Sequence, residues 1–379
     1  MLSRFQVVEI ASTAAGTHAG RLLAEAGLSV LRLELDDAPP LQSLPPLDEN
    51  GTSIAYLSAN GKKSVLRVRA ADRALIARLI AASDAFITDH RGWFAVRSRG
   101  TTCHVLPTDG VLQDDLDLPS GDVLLQAACG AASVTGRLSG PPVTIGIPIG
   151  DVAAGYFTAL GVMNGLIEDK PQLLSVRGID AIVALLSYMG TCYVVSGEDV
   201  GFIGSGHPYI VPYGAFPASD GYVIVGAFTQ AFWRKLCTML DHNDWANDPR
   251  FKTFVNRRDN RDILNGMLDA VFRQNTVAYW VDRLRDADVP HAPVHSLRQA
   301  VQQPVMAARA MTATINGRRY FNTPIINLAG GGGPLTRPAV SPDWRACLGR
   351  LGLAAADIAA LVAKAAVDPV TPLGSSKGG

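Results

Sequence analysis

Charge is scarce in this chain, and it cancels. Of 379 residues, 18% are Asp, Glu, Lys or Arg, against about 25% in ordinary soluble domains. The 34 basic residues balance 34 acidic ones. A net charge of zero excludes a general nucleic-acid binder, which needs surplus Lys and Arg to displace counterions. It also argues against long-range steering of a polyanion, so a small anionic ligand would require basic residues clustered locally. Cysteine is sparse as well: five residues, widely spaced, odd in number and without a CxxC. A reducing compartment is expected rather than a disulfide framework. No apolar run reaches the roughly 20 residues of a membrane span. The longest, Val152–Leu166 and Ala181–Ser196, are interrupted by polar residues and read as buried helices. The opening MLSRFQVVEIAST carries no apolar segment of secretory type. A cytoplasmic protein without nucleic-acid or membrane partners is therefore expected. There is no P-loop and no GxSxG elbow. His291 and His295 are four apart but separated by Pro293, with no acidic or Cys partner nearby, so no metal site is expected.

Apolar residues make up 48% of the chain, enough for a large core and too much for a disordered chain. A short apolar run, Val7–Ile10, reads as a strand. The small-residue loop Ala11–Gly16 follows, then helical spacing over Thr17–Ala26, with Gly27 as its stop signal. Leu28–Leu33 completes a βαβ unit. Ser64–Val68, Ala70–Ala82 and Asp84–Thr88 repeat the strand–helix–strand pattern, which implies a parallel sheet covered by helices. The Pro-rich acidic stretch Asp36–Gly51 reads as a loop. Two long apolar helices are expected over about 151–168 and 178–197, then a Gly/Pro-rich linker, Gly201–Pro217. Residues 218–290 carry more charge and further helix patterns, one through Ile263, Leu264, Met267, Leu268, Val271 and Phe272. Another is capped by Thr276 and buries Val277, Trp280, Val281 and Leu284. A last helix is expected over Ala354–Ala366, and TPLGSSKGG reads as a flexible tail.

Four segments carry candidate chemistry, each with a plainer alternative. The loop Ala15-Gly16-Thr17-His18-Ala19-Gly20 lacks the first glycine of a dinucleotide fingerprint. It reads as a close-packed turn or as a ligand crevice at a sheet edge. Lys62 and Lys63, after the turn Asn60-Gly61, suit either phosphates or solvent. Arg91, Arg97 and Arg99 follow the strand Asp84–Thr88; they suit a phosphate at its carboxyl end or an ordinary surface loop. Asp151, behind Gly146-Ile147-Pro148-Ile149-Gly150, stands at the expected start of a helix. Backbone N–H groups and the helix dipole are expected to keep it ionised. It is then either a simple cap or an accessible nucleophile, whose neighbouring N–H groups face a developing oxyanion.

Taken together, these segments resemble the family III CoA-transferases, the CaiB/BaiF family, which spans formyl-CoA transferases, carnitine CoA-transferases and α-methylacyl-CoA racemases. VVEIASTAAGTHAGRLLAEAGLSVLRLE is similar to the family's opening strand–loop–helix–strand, and LSANGKKSV to its N-x-GK-[RK]-S turn. The segment GDVLLQAACGAASVTGRLSGPPVTIGIPIGDVAAGYFTALGVMNGL is the most specific match. HPYIVPYGAFPASDGYVIVG and VPHAPVHSLRQAVQQP resemble the segments that enter and leave the family's small domain.

The resemblance implies an α/β fold: a Rossmann-like large domain with a smaller α+β domain, in an interlocked-ring homodimer. On that basis residues 1–205 and 299–379 form the large domain and 206–298 the small one. It implies Asp151 as nucleophile, passing through an aspartyl anhydride and an aspartyl-CoA thioester. CoA contacts are implied at Ala15, Gly16, Lys62, Lys63 and Arg97. The expected ligands are an acyl-CoA and a small carboxylic acid, with CoA as substrate and no covalently bound cofactor. His207, Tyr209 and Tyr213 are weaker candidates for the acyl side. Three departures stand out. Asp89-His90-Arg91-Gly92-Trp93 replaces the family's N-F-x-P-G loop. The segment Thr101–Pro119 is shortened and lacks an S-G-[FY]-G piece. Ser120-Gly121-Asp122 stands where racemases have G-H-D. Without that histidine a two-base racemase is disfavoured. Racemase or isomerase activity and a non-catalytic CoA-binding homologue are the alternatives to a transferase.

Overall fold

The computed structural model describes residues 2–37, 43, 45–49, 51–60, 62–106, 121–136, 140–198, 201–315, 318–322, 324–327, 333–334, 344–363 and 367–369. Residues 107–120 and the last nine lie outside them, and with them most of the shortened segment and the expected tail. The chain divides into two compact units. The first comprises 1–129, 146–187 and 304–379; the second comprises 130–145 and 188–303. Residues 130–145 and 188–205, which the sequence reading placed with the large domain, pack with the second unit.

In the first unit, β1 (Gln6–Ile10), α1 (Ala14–Glu25), β2 (Ser29–Leu35), α2 (Ile54–Asn60), β3 (Ser64–Val68), α3 (Arg73–Ala82), β4 (Ala85–Thr88) and β5 (Thr101–Leu106) follow in order. Then come α4 (Asp122–Ala128), α5 (Ile149–Glu168), β6 (Gln172–Arg177) and the start of α6 (Gly178–Ser196), whose residues from 188 on belong to the second unit. The six strands are parallel in the order β3-β2-β1-β4-β5-β6, and Val367–Pro369 adds an antiparallel edge beside β3. Strand residues alternate between two apolar layers, as pleating requires. Val8, Ile10, Leu31 and Leu33 join Ile76, Leu79 and Ile80 of α3 and Cys347 and Leu348 on one face. Val7, Val30, Ile87, Cys103 and Val105 face Ala15, Ala19 and Leu23 of α1 and Ala153, Ala154 and Val162 of α5. Helix α1 begins three residues earlier than its apolar spacing suggests, because Thr13 caps it by accepting from the Gly16 amide at 3.2 Å. Chain order reverses between β1 and β4, so their carboxyl ends form the switch point where α/β sheets place ligands.

The expectation that both long apolar helices are buried is corrected. In α6 only Gly178, Ala181 and Ile182 are buried, and Val194 and Val195 are 81% and 80% exposed. In α5, Leu160 and Ile167 are 65% and 78% exposed. Both helices carry more apolar residues than one core-facing stripe accommodates. Among the described residues, α6 alone has the length and apolarity of a membrane span. Its helix is interrupted at Ser187 (φ 50°, ψ −129°), where the two units divide.

The second unit holds an antiparallel sheet of β7 (Tyr213–Pro217), β8 (Tyr222–Gly226) and β9 (His291–Pro293). The end of the expected linker is therefore strand β7, with Phe216 in the core. Helices α7 (Gln230–Met239), α8 (Asn243–Asn247), α9 (Phe254–Asp259), α10 (Arg261–Phe272) and α11 (Val277–Asp286) cover that sheet. Thr229, Thr253 and Thr276 cap α7, α9 and α11. Arg257 is buried among Trp233, Phe251 and Val211, donating to the Val211 carbonyl at 2.7 Å and the Phe251 carbonyl at 3.0 Å. Its Nε and Nη1 thus find partners, which offsets part of the cost of burial, while Nη2 has none among the described residues.

Candidate active site

Asp151 does not cap α5. It is the third residue of that helix, and the cap is supplied from elsewhere. Asp122, the first residue of α4, places Oδ1 against the helix terminus, accepting from the Gly150 amide at 2.6 Å and the Asp151 amide at 3.2 Å. Its Oδ2 accepts from Gln126 Nε2 at 2.7 Å, and Gln126 is fully buried. The approach is close enough to require glycine at 150. A Cβ there would lie 2.7 Å from Ile182 Cδ1 and 2.9 Å from Asp122 Oδ1. The helix terminus therefore does not stabilise the Asp151 anion in the way expected. Burial, together with the Asp122 charge, pushes the Asp151 carboxyl up to about 6. The N–H groups that would have stabilised its anion are already bonded to another carboxylate.

Asp151 borders a cavity of about 450 Å³ within the first unit. Pro148 and Val152 of the α5 entry line it, with Ser12, Ala14, Thr17, His18 and Arg21 from the β1–α1 side. The third wall is Tyr56, Ala59 and Asn60 of α2, with Ser53 before it. His18 packs against α5 where Gly155 leaves room: a Cβ at 155 would meet His18 Cδ2 at 2.8 Å. The ring meets Tyr156 edge-on at 5.4 Å, and Nε2 has no hydrogen-bond partner among the described residues. Burial, with Arg21 and Lys63 nearby, lowers His18 to about 4, so the imidazole is neutral at pH 7. Arg21 is held by Glu25 at 2.9 Å, Ser58 at 3.0 Å and the Phe321 carbonyl at 3.0 Å.

The loop at the switch point is occupied by the protein itself. Asp89, just past β4, accepts from the Ser12 amide at 2.9 Å, the Thr13 amide at 2.7 Å and Thr13 Oγ1 at 2.6 Å. A carboxylate thus stands where a phosphate would meet the start of α1. Ala15 and Gly16 are buried in the first turn of α1, between the cavity residues Ala14 and Thr17. The segment that departs from N-F-x-P-G is pinned by Trp93, which is buried beneath the Arg73 guanidinium at 4.3 Å.

Both lysines are engaged by carboxylates of the same unit. Lys63 is fully buried, 2.7 Å from Glu9 Oε2 and donating to the Thr17 carbonyl at 2.8 Å. Glu9 also pairs with Arg32 at 2.5 Å, and Arg32 with Glu34 at 3.1 Å. Tyr56 Oη on the cavity wall donates to Glu34 at 2.7 Å. Lys63 therefore ties three strands and α1 together, and its ammonium is not presented to a ligand. Lys62 is mostly covered, its Nζ 3.7 Å from Glu25. Neither lysine lines the cavity, nor does Arg97, which is exposed and donates to the carbonyls of Phe94 and Val96. Arg99 pairs with Asp84 at 2.5 Å. In the second unit, His207 Nδ1 accepts from the Tyr209 and Ile210 amides, and its ring stacks on Tyr213 at 5.7 Å.

Sequence reading singled out Asp151 but missed Asp122, His18, Arg21 and Asp89 as the residues that shape its surroundings. The S-G-D triplet before α4 was the one available signal for Asp122.

A doubly wound sheet carrying a carboxylate beside a cavity defines a class of α/β protein with its candidate site at a helix terminus. The model of CoA-transferase family III matches residues 2–98 and 107–340, and the chain belongs to that family. An acetyl-CoA:oxalate CoA-transferase from Acetobacter aceti is 28% identical over 225 residues, 58% of this chain and 58% of that protein. An acyl-CoA transferase from Fusarium pseudograminearum is also 28% identical, over 51% of this chain and 43% of its own length. These two relatives are thus matched over about half their length. A succinyl-CoA:mesaconate CoA-transferase from Haloarcula marismortui is 25% identical over 92% of this chain and 93% of its own. Among solved structures, a CaiB/BaiF family protein from Brucella suis superposes with a TM-score of 0.77 at 24% identity, over 90% of this chain and 96% of that one.

Proposed function

We propose that this chain moves CoA from an acyl-CoA donor to a carboxylic acid acceptor, with Asp151 as the nucleophile. The observation that carries this reading is the Asp151 carboxyl, raised to about 6, at the wall of a 450 Å³ cavity. A carboxylate of that basicity is ionised at neutral pH yet more nucleophilic than an ordinary one. It attacks the thioester carbonyl carbon; the C–S bond breaks and CoA leaves as thiolate, giving an aspartyl anhydride. The thiolate returns to form an aspartyl-CoA thioester and releases the donor acid. The acceptor carboxylate attacks the aspartyl thioester and expels CoA thiolate, giving a second anhydride; the thiolate then attacks the acceptor's acyl carbon, and Asp151 leaves as carboxylate. Each step keeps the activated acyl bond, provided water is kept out. The relatives' names, which join CoA thioesters to oxalate or mesaconate, support acyl-CoA and a small acid as substrates.

Ala15 and Gly16, at the cavity edge, and Lys62 and Arg97, at greater remove, are the proposed CoA contacts. Lys63 enters as the support of that region. The exposed apolar faces of α5 and α6 fit burial in an interlocked homodimer, and the cytoplasm is the proposed compartment. The test is a mass-spectrometric screen of acceptor acids against succinyl-, acetyl- and aromatic acyl-CoA donors. A new acyl-CoA dependent on both partners is expected; binding of CoA without exchange across the panel would overturn the proposal.

A further inference from the structure

Building on that transferase reading, we propose that Asp122 is a positioning residue for Asp151: it fixes the first turn of α5 and, as a second carboxylate, favours conversion of Asp151 to its uncharged acyl form. The geometry is specific. One oxygen of Asp122 takes the amides of Gly150 and Asp151, and the other is held by buried Gln126. A Cβ at Gly150 would press on this carboxylate at 2.9 Å and on Ile182 Cδ1 at 2.7 Å, so the turn and the Asp122 carboxylate are closely fitted. The free N–H groups at a helix terminus ordinarily stabilise an anion there. Here Asp122 takes two of them, so Asp151, already disfavoured as an anion by burial, also faces the Asp122 charge.

The other charged or titratable groups bordering Asp151's cavity are His18 and Arg21 from α1 and Tyr56 from α2. His18 is neutral, and Arg21 is engaged by Glu25, Ser58 and Phe321. Asp122 is thus the carboxylate that acts on Asp151. When an Asp151 oxygen bonds to the acyl carbon and CoA departs with the electron pair of the C–S bond, Asp151 loses its charge. The repulsion from Asp122 disappears at that step, so it opposes the resting anion and not the anhydride.

The experiment is a carbon-13 carboxyl titration of the full chain, with the Asp151 resonance assigned by its loss in Asp151→Asn. Asp122→Asn keeps an oxygen acceptor for the two amides and removes the charge; Asp122→Ala removes both. The Asp151 midpoint is expected near 6 in the parent. In Asp122→Asn it moves down toward the ordinary carboxylate range and stops short of it, because burial persists. The acid limb of thioester exchange with succinyl-CoA as probe is expected to move the same way. An unchanged midpoint in Asp122→Asn overturns the proposal. The titration needs no substrate, so a parent protein that never exchanges CoA counts against the transferase reading while the coupling is still decided by the midpoint.

Discussion

Asp122 Oδ1 lies 3.2 Å from the backbone nitrogen of Asp151, so the residue that caps the helix and the residue that faces the cavity are different carboxylates. This separation of roles makes Asp151 available for chemistry. A capping aspartate is held ionised and quiet by its donors; Asp151 has lost those donors to its neighbour. Replacing Asp151 by Ala is expected to lower CoA exchange by about a thousandfold or more, since only binding and positioning then remain. Steady-state rates on a matched donor and acceptor check this.

The pH dependence follows from the same pair. With Asp151 titrating near 6, the nucleophile is ionised above that value, so kcat/KM rises with pH through about 6 and levels off. Stability moves the other way. The folded carboxyl binds its proton more tightly than the unfolded one, so folding loses stability as pH rises from about 4 through 6. Asp151→Asn is therefore expected to be more stable than the parent at pH 7.5 and no more stable at pH 4. Urea denaturation at the two pH values reads the difference.

His18 has the opposite sign. Its folded pKa, about 4, lies below the unfolded 6.5, so its stabilising effect is present above 6.5 and is lost as pH falls toward 4. His18→Phe keeps an aromatic ring against Tyr156 and removes the titration. A shallower fall in denaturation midpoint between pH 7 and pH 4.5 is the expected result.

Lys63 offers a direct choice between a ligand contact and a structural tie. As a buried partner of Glu9, its replacement by Met is expected to cost about 3–5 kcal/mol of stability. A raised KM for acyl-CoA with unchanged stability would instead mean that the ammonium reaches the ligand. Calorimetry and kinetics on one variant separate the two.

At Gly150 the constraint is steric. Alanine there places a methyl 2.7 Å from Ile182 Cδ1 and 2.9 Å from the Asp122 carboxylate. A loss of about 1–3 kcal/mol is expected from overpacking. A lower kcat should accompany it as the first turn of α5 shifts.

Much of this was legible in the sequence where local pattern decides the outcome. The runs at Val7–Ile10 and Leu28–Leu33, with Gly27 between, mark β1, α1 and β2 because both strands are buried on two faces. β5 was missed because Thr101, Thr102 and His104 dilute its apolar pattern, although Thr101 and Thr102 are fully buried in the sheet. α2 was hidden behind a Pro-rich stretch. At the site, motif resemblance singled out Asp151, but its electrostatics depend on a partner 29 residues earlier that only folding brings near. Lys63 looked like a surface cation because nothing local records Glu9, 54 residues away on a neighbouring part of the sheet.

The proposed transfer requires that Asp151 form the covalent intermediate. The protein is incubated with succinyl-CoA and hydroxylamine, digested and mapped by mass spectrometry. A hydroxamate on Asp151, absent when the thioester is omitted, is the predicted result. An unmodified Asp151 in a sample that turns over the same donor with an acceptor acid would contradict the account.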